Sequence, residues 1–213
     1  MAPDNESRSI VDSIVENNLY LVTGLGVIVA AWVLLNWSTL PLLQRLVGLF
    51  FVATVLHLWE EGKIPGGFTD LIAEQLDFVS DNQHFGEIIT VTYVLFITLV
   101  PLFFPQVVFL AMAPMMLGVV EVVAHLAMIR MFDLDRFYSP GLLTAVFLML
   151  PISVVGIVYT LRQGLLEPLQ WVFSIVYMLA GLMLAQQVVI RMSGMSYAEF
   201  LENVRKSLFK SSQ

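Results

Sequence analysis

Residues 42–61 read LLQRLVGLFFVATVLHLWEE, an apolar run that ends in a histidine and two adjacent glutamates. A helix needs about 20 mostly apolar residues to cross the hydrocarbon core of a bilayer, and this stretch supplies them. It is a membrane span with ionisable groups at one end. A soluble domain keeps roughly 25% charged residues to solvate its surface. This chain of 213 residues has 13% charged and 58% hydrophobic residues, with a mean hydropathy of +0.84. Lipid must therefore be the solvent for most of its surface.

Five further runs of this kind occupy most of the remaining chain. The spans are expected at about 18–36, 42–61, 88–104, 106–130, 141–161 and 168–190, with Pro101 and Pro105 marking a tight turn and Pro151 kinking the fifth. The expected fold is an all-α, polytopic transmembrane helical bundle of about six spans, a single integral membrane domain over 1–213. Short interfacial amphipathic helices accompany it. Between Gly62 and Gly86, Phe68, Leu71, Ile72, Leu76 and Val79 recur at helical spacing among acids. A tail at 196–209 opens on Ser196 and Glu199 at capping-box spacing. Ile10, Val11, Ile14 and Val15 form a shorter version.

Residues 1–18 are polar and acidic, unlike a cleaved signal peptide, so the first span is expected to be a permanent anchor. With six spans both termini share a side. That side holds Arg8, Lys63, Arg130, Arg136, Arg191, Arg205, Lys206 and Lys210, against Arg45 and Arg162 opposite. The positive-inside rule places both termini in the cytoplasm. A net charge of -7 does not suggest nucleic acid as a partner, and the absence of cysteine leaves any metal chemistry to histidine and carboxylates.

The unusual ionisable residues converge on that topology. His57, Glu60 and Glu61 close the second span, His84 and Glu87 open the third, Glu121 and His125 lie late in the fourth, and Tyr138 precedes the fifth. Alternate span ends fall on alternate sides, so all of them lie near one face. His57 with Glu60 and Glu61 is an i, i+3, i+4 set, and Glu121 with His125 is an i, i+4 pair. An acid within a span costs about 2.5–3.5 kcal/mol on insertion scales, so Glu121 is expected to be neutral, paired or metal-bound. Two helices each offering a His–Glu pair suit a divalent Zn, Mn or Fe ion. His57, Glu60, Glu121 and His125 are the candidate metal ligands, with Glu61 as general base and Tyr138 as a second catalytic group. The bland alternatives are a solvated helix end for Glu60 and Glu61, hydrogen-bonded packing for the histidines of the spans, simple exposure for His84, and an interfacial aromatic anchor for Tyr138.

His57-Leu58-Trp59-Glu60-Glu61 resembles the motif that names the HXXEE family of bacterial membrane proteins. His125 followed by Tyr138-Ser139-Pro140-Gly141 and Thr144 resembles that family's second signature. Glu121 stands where the resemblance leads one to expect asparagine. The resemblance implies a bacterial plasma membrane and supports the site residues, but it carries no reaction. The functional expectation is a membrane-embedded, metal-dependent hydrolase or oxidoreductase acting on a lipid or other hydrophobic substrate at the cytoplasmic face. The alternatives are a proton- or cation-coupled transporter and a non-catalytic component that binds a protein partner through the acids between Asp70 and Asp81.

Overall fold

The apolar runs fold as helices because a chain in lipid must satisfy its backbone N–H and C=O groups within itself. A computed structural model describes residues 17–75, 92–93, 95–134, 136–192, 196–199, 201–202 and 205, and every regular element among them is helical. The elements are α1 (Asn18–Leu35), α2 (Leu42–Gly62), α3 (Phe68–Gln75), α4 (Val100–Phe103), α5 (Val108–Met131), α6 (Leu142–Gln163) and α7 (Pro168–Met192). Five of these are long and apolar enough to cross a membrane, which marks an integral membrane protein. Of the span expected at 88–104, residues 92–93 and 95–103 are described and helical. His84, Glu87 and the amphipathic stretch at 10–15 lie outside the described residues.

Helix α2 is the centre of the bundle and buries more of its surface than the other spans. Phe50 and Phe51 are fully enclosed, in one core with Val47, Met112, Met115 and Met149. Small residues set the closest approaches. A Cβ on Gly48 would meet Val33 of α1 at 2.4 Å, and one on Gly118 of α5 would meet Ser153 of α6 at 2.3 Å. Bulkier residues there would force the helices apart, losing dispersion contacts that stand in for the absent hydrophobic effect between helices in lipid. Large apolar side chains such as Leu35, Phe147 and Leu169 point outward, as a lipid-facing surface requires.

The expected kink at Pro151 takes a specific form. Residues Ala145–Met149 wind as a π turn, and α6 continues past the proline to Gln163. The same spacing recurs at Leu95–Leu99, where a π turn precedes Pro101. Proline lacks an N–H and its ring clashes with the carbonyl four residues back, so local widening of the helix relieves both problems. At the first of these turns the Tyr177 hydroxyl donates to the Phe96 carbonyl (2.5 Å), tying α7 to the segment before α4.

The two ends of the bundle are tied differently. Gln44 at the start of α2 donates to the Leu102 carbonyl at the end of α4. At the other end of α2, Trp59 donates to the Thr23 hydroxyl of α1, which itself donates to the Leu19 carbonyl. The tail carries its capping box as expected: Ser196 N–H and Oγ donate to Glu199, and Glu199 N–H donates back to Ser196 Oγ (3.3 Å).

Candidate metal centre

The last turns of α2 and α5 and the first turn of α6 meet at one end of the bundle. The i, i+4 spacings put His57 and Glu61 on one stripe of α2, and Glu121 and His125 on one stripe of α5. The two stripes face each other. The imidazoles of His57 and His125 stack edge to face, centroids 5.2 Å apart, and are 3% and 0% exposed. Phe68, at the start of α3, lies against His125 at 5.8 Å.

Glu61 Oε1 sits 3.4 Å from His57 Nε2 and 3.7 Å from His125 Nε2. Glu121 Oε2 sits 3.9 Å from each of the same two nitrogens. Ligand atoms from His57, Glu61 and His125 all lie within 4.8 Å of one another. In a tetrahedral site with bonds of about 2.0–2.1 Å, ligand atoms stand roughly 3.3–3.4 Å apart. The two distances from Glu61 to the histidines, 3.4 and 3.7 Å, reach that spacing with shifts of a few tenths of an ångström or less, and the imidazole ligand atoms, within 4.8 Å of each other, would close by at most about 1.5 Å. Two imidazole nitrogens and a carboxylate oxygen form a donor set suited to a divalent transition metal. An unsatisfied group strengthens the fit: His125 Nε2 is buried and has no hydrogen-bond partner among the described residues.

The opposite ring nitrogen of each histidine is occupied. His57 Nδ1 lies 3.0 Å from the Gly141 carbonyl and 3.0 Å from Thr144 Oγ1. A carbonyl can only accept, so Nδ1 of His57 carries the proton and its Nε2 lone pair faces the cluster. His125 Nδ1 lies 2.9 Å from Ser139 Oγ.

Glu60, one residue before Glu61, is engaged elsewhere. Its Oε1 accepts from the Tyr138 hydroxyl (2.9 Å) and Leu143 N–H (3.0 Å). Its Oε2 accepts from Thr144 N–H (2.7 Å) and Thr144 Oγ1 (2.5 Å). The first N–H groups of a helix have no partner within the helix, and here a carboxylate from another span satisfies two of them at the positive end of the α6 dipole. Burial pushes the Tyr138 phenol up to about 12, and the bond to Glu60 acts in the same direction, so it stays a donor at neutral pH. Gly141 is required twice over. Its φ of 101° is left-handed, and a Cβ there would lie 2.6 Å from His125 Cε1 and 2.8 Å from His57 Cε1.

Of the residues singled out in the sequence, His57, Glu61, Glu121 and His125 come together. Glu60 and Tyr138 instead bind each other and the start of α6. Ser139 and the Gly141 carbonyl join the site without standing out by residue type; their one signal in the sequence is their place in the second signature run. Residues 48–156, about half of the chain, match the family described as "Protein of unknown function with HXXEE motif". No curated protein and no solved structure gives a significant match. The motif that names that family is His57-Leu58-Trp59-Glu60-Glu61, at the end of the most buried span, and on this match the chain belongs to the HXXEE family.

Proposed function

We propose that this protein is a membrane-embedded, metal-dependent enzyme that acts on a lipid or other hydrophobic substrate at the cytoplasmic face. The observation that carries the reading is the convergence of two buried imidazole Nε2 atoms and Glu61 Oε1, with the His125 Nε2 left without a hydrogen bond among the described residues. His57, His125 and Glu61 hold a divalent Zn, Mn or Fe ion. Glu121, 3.9 Å from both nitrogens, serves as general base. Relative to the sequence expectation, Glu61 and Glu121 exchange ligand and base roles, and Glu60 and Tyr138 become supports for the start of α6. Such an ion supplies Lewis acidity, polarising a carbonyl or phosphoryl oxygen and acidifying water. The Lys and Arg distribution supports the cytoplasmic side, and the apolar outer surface supports entry of substrate from the lipid.

Purified protein measured by elemental mass spectrometry should contain about one equivalent of a single transition metal per chain, on the stoichiometry of a mononuclear site. His57→Ala, His125→Ala and Glu61→Ala should lose it, while Glu121→Gln should retain it. Trace metal in the wild type, equal in all four variants, would defeat the proposal. Loss on Glu121→Gln with retention on Glu61→Ala would restore the original assignment of the two acids.

A further inference from the structure

We propose that Ser139 is a positioning residue that holds His125 in the Nδ1–H tautomer and so aims its Nε2 lone pair at the point where His57 already aims its own. The claim rests on the metal reading for its purpose, but not for its geometry. Ser139 is fully buried. Its Oγ lies 2.9 Å from His125 Nδ1 and 3.4 Å from the His125 backbone carbonyl. A hydroxyl has one proton to give, and the carbonyl can only accept. Ser139 therefore donates to the carbonyl and accepts from Nδ1–H.

The reverse arrangement, with Ser139 donating to Nδ1, would put the ring proton on Nε2. That nitrogen is buried, and among the described residues it has no hydrogen-bond partner: the carboxylate oxygens of Glu61 and Glu121 lie at 3.7 and 3.9 Å, beyond hydrogen-bonding range. An orphaned buried N–H is among the rarest defects in folded proteins. A lone pair at the same place is the group that a cation satisfies.

One turn thus governs both rings. Ser139 accepts from His125, and two residues later the Gly141 carbonyl accepts from His57. The same turn is fastened to α2 through Tyr138, Thr144 and Glu60. Metal-binding histidines take their tautomer and orientation from the partner of the second nitrogen, and losing such a partner weakens metal binding about ten- to a hundredfold.

The test uses the full-length protein with ¹⁵N-labelled histidine. The chain has only 3 histidines, so each imidazole can be assigned by substitution. In metal-free wild type, His125 should show a protonated Nδ1 and a lone-pair Nε2. Ser139→Ala should abolish that preference at His125 and leave His57 unchanged, and Ser139→Thr, which keeps the hydroxyl, should restore it. Competition titration with Zn²⁺ should show affinity reduced about ten- to a hundredfold in Ser139→Ala and recovered in Ser139→Thr. An unchanged His125 tautomer in Ser139→Ala overturns the proposal, as does a wild type with the proton on Nε2. If the wild type binds no Zn²⁺, the metal reading fails, while the tautomer comparison still decides the role of Ser139.

Discussion

At the end of the bundle holding the Asn36–Leu40 turn, most polar side chains bond to near neighbours in sequence. Asn36 donates to Trp32, Thr39 to Asn36 and Arg45 to Leu40, while Gln44 reaches further, to Leu102. At the other end, His57 reaches Gly141 and Thr144, and Glu60 reaches Tyr138, Leu143 and Thr144. Both ends leave helix termini with unpaired backbone groups. Water can satisfy those at an exposed turn at little cost, so local caps suffice. The buried side chains of His57 and Glu60 have no such recourse, and each needs a partner from a distant segment. The difference separates an end that merely closes the bundle from one that arranges a site.

The comparison breaks first at Glu60. Its carboxylate accepts four hydrogen bonds, and Glu60→Ala leaves those donors without it. Net hydrogen-bond values near 1 kcal/mol each put the loss at about 4 kcal/mol, read as a lowered unfolding midpoint in detergent. Glu60→Gln keeps one accepting oxygen and should cost about half as much. A change within about 0.5 kcal/mol for the alanine variant would mean that water replaces the carboxylate, and that the two ends are alike.

Gly141→Ala is expected next, at about 3 kcal/mol. A left-handed φ costs a non-glycine residue about 1–2 kcal/mol, and the methyl must also displace two imidazoles. Because those rings are the proposed ligands, the variant should lose metal as well as stability. Stability lost with metal retained would separate the turn from the site.

The spans were legible because a run of lipid-compatible residues leaves few alternatives. The expected 18–36, 42–61 and 168–190 correspond to Asn18–Leu35, Leu42–Gly62 and Pro168–Met192. Counting span ends puts His57, Glu60, Glu61, His84, Glu87, Glu121, His125 and Tyr138 near one face, and of these His57, Glu61, Glu121 and His125 come together, with His84 and Glu87 outside the described residues. What could not be read was the division of labour between Glu60 and Glu61. They are adjacent, about 100° apart around the helix axis, and both lie on the histidine's side. Only the position of the α6 N-terminus against Glu60 separates them, and that depends on the packing of three helices. The π turns were hidden for a related reason. Proline forbids an ordinary helical turn before it, but it does not dictate whether the helix bends or widens.

Removing the Tyr138 hydroxyl takes away one bond of the same network. Tyr138→Phe should cost about 1 kcal/mol and leave metal content unchanged, since the phenol bonds Glu60. In the wild type the raised phenol pKa gives a second signature. A group with its folded value near 12 and its unfolded value near 10 favours folding in its neutral form. Its contribution is complete below about pH 10 and is lost as pH rises through 12. A difference between wild type and Tyr138→Phe that persists undiminished above that window would show that the hydroxyl acts by packing and not by donation.

The smallest effect belongs to the opposite end. Thr39 donates to Asn36 three residues away, and the bond is exposed. Water can take over both groups in Thr39→Ala, so the unfolding midpoint should move by no more than about 0.5 kcal/mol. Metal content should not change. The substitution removes one hydroxyl bond, just as Tyr138→Phe does, so the pair holds the chemistry nearly constant and varies the place. Equal costs at the two positions would make burial irrelevant to these hydrogen bonds. A ratio of two or more would locate the difference in what each bond would otherwise give to water.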